Sequence, residues 1–284
     1  MRPFLGVWPA SPTRETWDAL RTAIPTNRIL GYRPRGGFGQ FDYPLVPDAL
    51  DATTIPIYST NLNPRTGTGD QRAPISLVDW ANGMYDMSVL VPAAQQLNAI
   101  APFVRRVIVE IWSECNVQKP TPSPQPQPVD WSTENWEAAF VHTAELWRKM
   151  GVPKRVWLGT SVAGVQRGFE VYYPPGILAN SQFIGSDSYA NDAGFKLLSE
   201  RVTATRSFAS SKGLPVVITE SGVDKGYDYQ AWFDDAAAFV RSGGIEGMFY
   251  TDFDNAPKGD YRVDAGQPMH DAFTAFSTQA GWRV

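Results

Sequence analysis

The chain alternates between short runs of apolar or β-branched residues and longer stretches whose apolar residues recur at helical spacing. Runs of strand length that are apolar throughout are typical of strands buried on both faces of a parallel sheet. Eight such runs predict strands at residues 4–8, 28–32, 55–59, 107–112, 156–161, 183–187, 216–219 and 247–252.

Stretches with helical periodicity separate most of these runs. The predicted helices cover residues 13–24, 90–101, 134–150, 195–212, 229–242 and 269–277. Thr13 and either Ser132 or Thr133 are suitable caps, and Gly213 is a suitable helix stop. Because strand and helix alternate through eight units, the pattern predicts an α/β protein with the (β/α)8 barrel architecture.

The length of the chain, 284 residues, agrees with one such barrel, since these domains typically have about 250 residues. We therefore expect a single domain over residues 1–284. Residues 117–128 contain five prolines alternating with other residues, mostly polar. Neither side of this stretch makes a complete core alone, so we interpret residues 117–131 as a stiff polyproline-type loop on the catalytic face.

Charge and composition exclude several classes of partner. The net charge is −4, from 25 basic and 29 acidic residues without a basic cluster, which argues against nucleic acid and anionic membranes. No apolar run reaches the roughly 20 residues that span a bilayer. The first residues are too short and proline-interrupted for a signal peptide. The location stays open between the cytoplasm, release by lysis or on a particle such as a phage, and secretion with the leader absent.

Two of the predicted strands run directly into a glutamate. Residues 107–112 lead to Glu114, and residues 216–219 lead to Glu220. In a (β/α)8 barrel the carboxyl ends of the strands form the reactive face, although a glutamate there can also cap a helix or join a rim salt bridge. Cleavage of a glycosidic bond needs two carboxyl groups and neither metal nor histidine. His142 and His270 fall in predicted helices, which disfavours a zinc site or a Ser-His-Asp triad.

The residues around both glutamates resemble known motifs. Trp-Ser-Glu-Cys-Asn at 112–116 and Ile-Thr-Glu-Ser-Gly at 218–222 resemble the acid/base and nucleophile strands of the retaining glycoside hydrolases of clan A. The nearest resemblance is to family 26, the β-mannanases, whose fourth strand ends in His-Glu-Met-Asn. Gly-Ser-Asp-Ser-Tyr at 185–189 resembles the sixth-strand motif of that group, whose tyrosine touches the nucleophile.

The resemblance implies a role for each matching residue. Glu114 is then the acid/base, Glu220 the nucleophile, and Tyr189 the residue that orients it, with its hydroxyl within hydrogen-bond reach of Glu220. The chain departs from family 26 at Ser113, where the family has histidine, at Glu110, where it usually has arginine, and at residues 252–253, where tryptophan is common.

Further residues are candidates for binding a sugar. Aromatic rings near strand ends suit the apolar faces of sugars, although each ring has core packing as an alternative. Asparagine and aspartate side chains could hydrogen-bond hydroxyl groups or cap turns. The predicted substrate-binding residues are Trp8, Tyr32, Trp80, Trp112, Asn116, Trp131, Asp187, Tyr250 and Asp252.

Two neighbours of Glu114 receive other interpretations. Strand alternation gives Glu110, Trp112 and Glu114 the same facing, so Glu110 would lie one layer deeper in the barrel, with a partner such as Arg33. Cys115 is the only cysteine, which excludes an intramolecular disulfide. With no histidine near it in sequence, we interpret Cys115 as a buried spectator.

The sequence thus predicts a retaining glycosidase that acts on a polysaccharide as a monomer without cofactor or metal. Endo action is expected, but the sequence leaves exo action open, and it specifies neither the sugar nor the linkage. One alternative is a barrel that binds carbohydrate without cleaving it, for instance an adhesion component of a phage or a surface. Two carboxyl groups about 5–5.5 Å apart in one pocket would favour the enzyme. A metal-dependent phosphodiesterase is a third possibility, but the sequence lacks the histidines for it.

Overall fold

A computed structural model provides the coordinates. The residues that it describes are 3–9, 15, 18–19, 22, 29–32, 52–60, 75–112, 114–116, 128–164, 168–190, 194–252, 260–263, 268–279 and 281–282. The side chains of residues 8–9, 29–32 and 59–60 lie outside this description, and so does most of the proline-rich stretch.

Within the described residues, nine strands form one sheet in which every pair is parallel. The strands are β1 (Phe4–Pro9), β2 (Ile29–Tyr32), β3 (Ile55–Thr60), β4 (Val107–Ile111), β5 (Val156–Gly159), β6 (Ser161–Ala163), β7 (Ile184–Ala190), β8 (Val216–Val223) and β9 (Ile245–Asp252).

The order of the strands closes the sheet into a barrel. The order is β5-β4-β3-β2-β1-β9-β8-β7-β6, so that the two ends of the sheet are β5 and β6. Only Thr160 separates these two strands along the chain. They are therefore the two halves of the fifth barrel strand, and the fold is the predicted (β/α)8 barrel. Strands from both sides of the proline-rich stretch belong to this one sheet.

Helices cover the outside of the sheet. They are α1 (Leu77–Ala81), α2 (Val91–Ile100), α3 (Thr133–Lys149), α4 (Pro175–Asn180), α5 (Leu198–Ser211), α6 (Tyr229–Arg241) and α7 (Pro268–Gln279). A π-helical turn at Asp86–Leu90 precedes α2, and short 3-10 turns lie at Ala101–Phe103 and Phe169–Tyr172. Among the described helices, none is long and apolar enough to cross a bilayer.

Apolar side chains fill two separate layers. The inner layer lies inside the barrel and consists of Phe4, Ile55, Ile57, Ile108, Phe183, Val217 and Phe249. The outer and larger layer lies between the sheet and the helices, where Val107, Val109 and Ile111 of β4 contribute. Since alternate residues of a strand face opposite sides, Glu110 faces inward with Ile108, and it is fully buried.

The end of β4 differs from the prediction. Strand β4 stops at Ile111, and Trp112 has a φ of 60°, which no strand residue adopts. The change of backbone direction breaks the alternation that was expected to place Trp112 beside Glu110. Trp112 instead belongs to the outer layer, where its ring lies 5.2 Å from the ring of Trp136 on α3.

Helix α1 has two capping side chains at its start. Ser76 Oγ accepts from Asp79 N at 3.0 Å, and Asp130, at the end of the proline-rich region, is the second. Its carboxylate accepts hydrogen bonds from Leu77 N at 2.6 Å, Val78 N at 3.0 Å and Ser76 Oγ at 2.7 Å. Partial burial alone would raise the pKa of Asp130, but these hydrogen bonds outweigh it and lower the pKa below its ordinary value. The carboxylate thus ties the segment before α3 to the start of α1.

We expect the Asp130→Ala variant to lose about 1–3 kcal/mol in the free energy of unfolding at neutral pH, because two amide groups lose their acceptor. The folded-state pKa is lowered, so this stabilisation is complete above the unfolded pKa of about 4 and declines as the pH falls through the folded value. Urea unfolding at several pH values measures it. Asp271→Ala is the control, since that side chain is 86% exposed. If the difference in unfolding free energy between the wild type and Asp130→Ala stayed the same at low pH, the expectation would be contradicted.

Candidate active site

Glu220 owes its orientation to an irregularity in β8. Next to β7, the register passes from Ser186 opposite Ile218 to Asp187 opposite Glu220, which leaves Thr219 as an extra residue. The register with β9 shifts in the same place. Such a bulge lets two consecutive side chains face the same side of a sheet. Thr219 and Glu220 accordingly both make hydrogen bonds to side chains of β7.

Tyr189 contacts Glu220 as the sequence predicts. The Tyr189 hydroxyl donates a hydrogen bond to Glu220 Oε2 at 3.0 Å. The same hydroxyl lies 2.7 Å from Thr251 Oγ1 at the end of β9. A phenol has one proton, so when Tyr189 donates to Glu220 it accepts from Thr251. The two bonds hold Glu220, half-buried, at the carboxyl ends of neighbouring strands.

The position of the Tyr189 ring depends on Gly222. The Tyr189 ring lies 5.2 Å from the ring of Tyr261, which is buried. A Cβ at Gly222 would lie 2.9 Å from Tyr261 Cδ1 and 3.2 Å from two carbons of Tyr189. Any larger residue would therefore displace one of the two rings.

Glu114 lies in a strained turn after β4. Trp112 and Glu114 have φ angles of 60° and 52°, and among the described residues they are the only non-glycine residues with positive φ. Left-handed backbone costs a non-glycine residue about 1–2 kcal/mol, so the surrounding structure must impose it. Such strain is common at functional sites.

Hydrogen bonds to the split fifth strand impose this turn. Thr160 Oγ1 donates to Trp112 O at 2.9 Å, and Cys115 N donates to Ser161 O at 3.1 Å. Asn116 exchanges two hydrogen bonds with the backbone of Ala163, at 2.7 and 3.1 Å. Glu114 N donates to Ser161 Oγ at 3.1 Å. The turn is thus fixed at Trp112, Glu114, Cys115 and Asn116.

Asp187 connects this turn to the strand that carries Glu220. Its Oδ2 accepts from Ser161 Oγ at 3.1 Å, and its Oδ1 accepts from Thr219 Oγ1 at 2.5 Å. A continuous row of hydrogen bonds therefore runs from Glu114 N through Ser161 and Asp187 to Thr219, the residue before Glu220. We call these four residues the hydroxyl–carboxylate row.

Other polar groups are buried near this row. The pKa of the Cys115 thiol is raised to about 12. Burial is the main cause, a hydrogen bond with Thr160 acts in the opposite direction, and the charges of Glu110 and Asp187 add to the increase. Burial likewise raises the pKa of Tyr173, whose hydroxyl donates to Thr160 O at 3.1 Å. Cys115 is therefore a buried, protonated thiol, as the sequence predicts. Arg33, the expected partner of Glu110, lies outside the described residues.

Several predicted sugar-binding aromatic residues prove to be core residues. Trp80 is 1% exposed and donates from its indole nitrogen to Thr143 Oγ1 of α3 at 2.9 Å. Trp112 is buried for the backbone reason given above. Tyr250 is fully buried among aromatic rings of α6 and α7, because its position in β9 faces the outer layer. The structure thus places these three rings in the core, and their contact with sugar stays a prediction.

Trp131 is the predicted aromatic residue that stays partly exposed among those whose side chains are described. Its ring stacks on Trp136 at 5.8 Å, just before the start of α3. Trp8 and Tyr32 lie in β1 and β2, but their side chains are outside the described residues.

The predicted polar ligands divide in the same way. Asn116 and Asp187 are buried and make the hydrogen bonds described above, which gives them a structural role; their contact with substrate stays a prediction. Asp252, at the end of β9, is half-buried and accepts from Val263 N at 2.9 Å. It remains a candidate for contact with substrate.

Four residues that shape the site were not predicted: Ser161, Thr219, Thr251 and Tyr261. Hydroxyl residues and a tyrosine are common in strands and loops, and no local pattern distinguishes these. Thr219 carried the strongest signal, because it immediately precedes Glu220. Within the described ranges, no group of three or more potential metal ligands occurs.

The described residues define a class of protein: a (β/α)8 barrel with glutamates at the carboxyl ends of its fourth and seventh barrel strands. No protein-family model matches the sequence, and no curated protein sequence matches it. Solved structures do match. A family 26 β-mannanase from Bacteroides ovatus has a TM-score of 0.71 at 15% identity, over 99% of this chain and 89% of that chain.

Two further structures agree. A modular endo-β-1,4-mannanase of family 26 from Cellulomonas fimi has a TM-score of 0.66 at 16% identity, over 98% of this chain and 70% of that chain. A mannanase from Bacillus subtilis has a TM-score of 0.62 at 14% identity, over 99% and 86%. The chain therefore has the fold of the family 26 β-mannanases, to which its motifs also show a resemblance.

We expect Gly222→Ala to lose about 1–3 kcal/mol in the free energy of unfolding, because the added methyl group overpacks the Tyr189–Tyr261 contact. If Tyr189 moves, its hydrogen bond to Glu220 is also lost. Denaturant unfolding checks the expectation. In a Tyr261→Leu background the same substitution should cost less, since the nearest obstacle is gone. An equal cost in both backgrounds would contradict this explanation.

Proposed function

We propose that the protein is a retaining glycoside hydrolase that cleaves a polysaccharide within its chain, with Glu220 as nucleophile and Glu114 as acid/base. The observation that carries the proposal is the hydrogen bond of 3.0 Å from the Tyr189 hydroxyl to Glu220 Oε2, at the carboxyl ends of adjacent barrel strands. This places a fixed carboxylate where barrel enzymes carry out their chemistry.

The mechanism assigns one task to each carboxyl group in each step. Glu220 attacks the anomeric carbon, while Glu114 gives its proton to the glycosidic oxygen, so that the bond to the leaving sugar breaks. Glu114, now ionised, takes a proton from water as the water attacks the glycosyl-enzyme ester. The second displacement frees Glu220 and restores the original anomeric configuration.

Three features support the proposal. The hydrogen bond from Tyr189 fixes the orientation of the Glu220 carboxyl group, which suits a nucleophile. The turn at Glu114 is strained and fixed by hydrogen bonds, and strain of that kind is a sign of function. The solved neighbours carry the names of mannanases, so β-1,4-mannan is the first substrate to test.

The alternative function, carbohydrate binding without cleavage, predicts that the two glutamates are dispensable. The strained turn at Glu114 is compatible with both functions, since strain occurs at catalytic and at binding sites. Turnover measurements decide between the two. The polysaccharide panel consists of β-1,4-mannan, β-1,4-xylan, cellulose and β-1,3-glucan, with reducing ends counted after incubation.

We expect Glu220→Ala to abolish turnover of every substrate, because the glycosyl-enzyme ester cannot form. Glu114→Ala should lose about 100- to 10,000-fold in kcat/KM on polysaccharide, the usual contribution of a general acid. It should retain kcat/KM on an activated aryl glycoside, dinitrophenyl β-mannobioside, whose leaving group needs no proton.

Azide identifies the roles independently. It should restore turnover to Glu114→Ala with retained configuration, since azide attacks the ester, and to Glu220→Ala with inverted configuration, since azide attacks the substrate directly. Proton NMR of the glycosyl azide distinguishes the two products. The opposite pattern would exchange the roles, and full activity in both variants would refute the glycosidase proposal.

A further inference from the structure

Within the hydroxyl–carboxylate row, Ser161 contacts both the Glu114 turn and Asp187, although it belongs to none of the three motifs. Its hydroxyl accepts from Glu114 N at 3.1 Å and donates to Asp187 Oδ2 at 3.1 Å. A serine hydroxyl has one proton to donate, and that proton is directed to Asp187. The oxygen is therefore available as the acceptor for the Glu114 amide.

We infer that Ser161 is a positioning residue for the acid/base, which holds the Glu114 backbone in its left-handed conformation and so sets where the carboxyl group points. The inference rests on the proposed function, because it concerns how Glu114 is held for proton transfer. It adds a residue outside the motifs at 112–116, 185–189 and 218–222.

The backbone angles give the first argument. A φ of 52° at Glu114 is unfavourable for a residue with a Cβ and does not arise from local preference. The amide of Glu114 is the group whose direction this angle fixes relative to the side chain. Its hydrogen bond to Ser161 Oγ compensates the strain at the residue that carries the carboxyl group.

The rigidity of the acceptor gives the second argument. Ser161 is fully buried, and its backbone oxygen also accepts from Cys115 N at 3.1 Å. On the other side lies Gly185, where a Cβ would come within 2.6 Å of Ser161 Cβ. The missing side chain at Gly185 allows Ser161 this position, and close packing leaves its hydroxyl little freedom to move.

The charge of Asp187 gives the third argument. Asp187 is 2% exposed and accepts two hydroxyl protons, from Ser161 and from Thr219. A buried carboxylate orients donors strongly, since each bond to an ionised acceptor is about twice as strong as a neutral one. Asp187 thereby fixes the direction of the Ser161 hydroxyl proton. The lone pairs of the same oxygen are then directed toward the Glu114 amide.

The test compares Ser161→Ala with the wild-type enzyme on two substrates, β-1,4-mannan and dinitrophenyl β-mannobioside. With the acceptor removed, the Glu114 amide loses its hydrogen bond to Ser161 Oγ, and the acid moves from its place. We expect kcat/KM on mannan to fall about 10- to 100-fold, which corresponds to the loss of one hydrogen bond. On the activated glycoside, where no proton is needed, kcat/KM should fall less than about 3-fold.

Ser186→Ala is the matched control. Ser186 is also fully buried, it lies opposite Val162 in the neighbouring strand, and its hydroxyl has no hydrogen-bond partner in the described part of the chain. It should leave kcat/KM nearly unchanged on both substrates. Ser161→Cys, with a weaker donor and acceptor, should fall between wild type and Ser161→Ala on mannan. Thermal unfolding confirms that each variant is folded.

The outcomes separate the inference from the function on which it rests. If wild type cleaves neither substrate, the proposed function fails on mannan. In the other case the wild type is active, and Glu114→Ala loses kcat/KM on mannan but not on the activated glycoside. If Ser161→Ala then lowers kcat/KM equally on both substrates, or on neither, the positioning role is refuted. A loss confined to mannan supports it.

Discussion

The Asp187 carboxylate is the group on which the geometry of the candidate site depends. It is buried, and it accepts hydroxyl protons from Ser161 on one side and Thr219 on the other. Burial of a charge is unfavourable unless hydrogen bonds compensate it, so both hydroxyl groups must remain in place. One of them accepts from the Glu114 amide and the other belongs to the residue before Glu220, so this one carboxylate links the two segments that carry the glutamates.

The barrel supplies the frame for this arrangement. The fifth barrel strand is split at Thr160, and both the threonine hydroxyl and the residues after it bind the turn that carries Glu114. The bulge at Thr219 turns Glu220 toward Tyr189 of the adjacent strand β7. Irregularities in two strands therefore produce the site, whereas the regular parts of the sheet only bring those strands together.

The sequence alone predicts the regular parts well and the irregular parts poorly. Buried strands appear as apolar runs, and the (β/α)8 order follows from their alternation with helices. Glu114 and Glu220 were predicted because apolar strands run directly into them, and Tyr189 because its motif resembles a known one; the contact between Tyr189 and Glu220 is confirmed. Their catalytic roles stay predictions.

What the sequence missed has a common physical cause. Trp112 was expected to keep the alternation of β4, but hydrogen bonds from residues about 48 positions later hold it in a left-handed turn. Trp80 and Tyr250 were expected on the surface of a groove, but the side of the sheet or helix that they occupy faces the outer layer. Contacts between distant segments decide these positions, and no local pattern reports them.

The division of the fifth strand has a consequence for when the Glu114 turn can form during folding. Residues 156–159 pair with β4, whereas residues 161–163 pair with β7, so this strand joins the two ends of the sheet. The Glu114 turn obtains its hydrogen-bond acceptors only when that joint is made. A partly folded chain with every strand but this one in place would contain both glutamates without the hydrogen bonds that hold the Glu114 turn. Closure of the ring and formation of this turn are then one event, and both depend on contacts between segments that are distant in sequence.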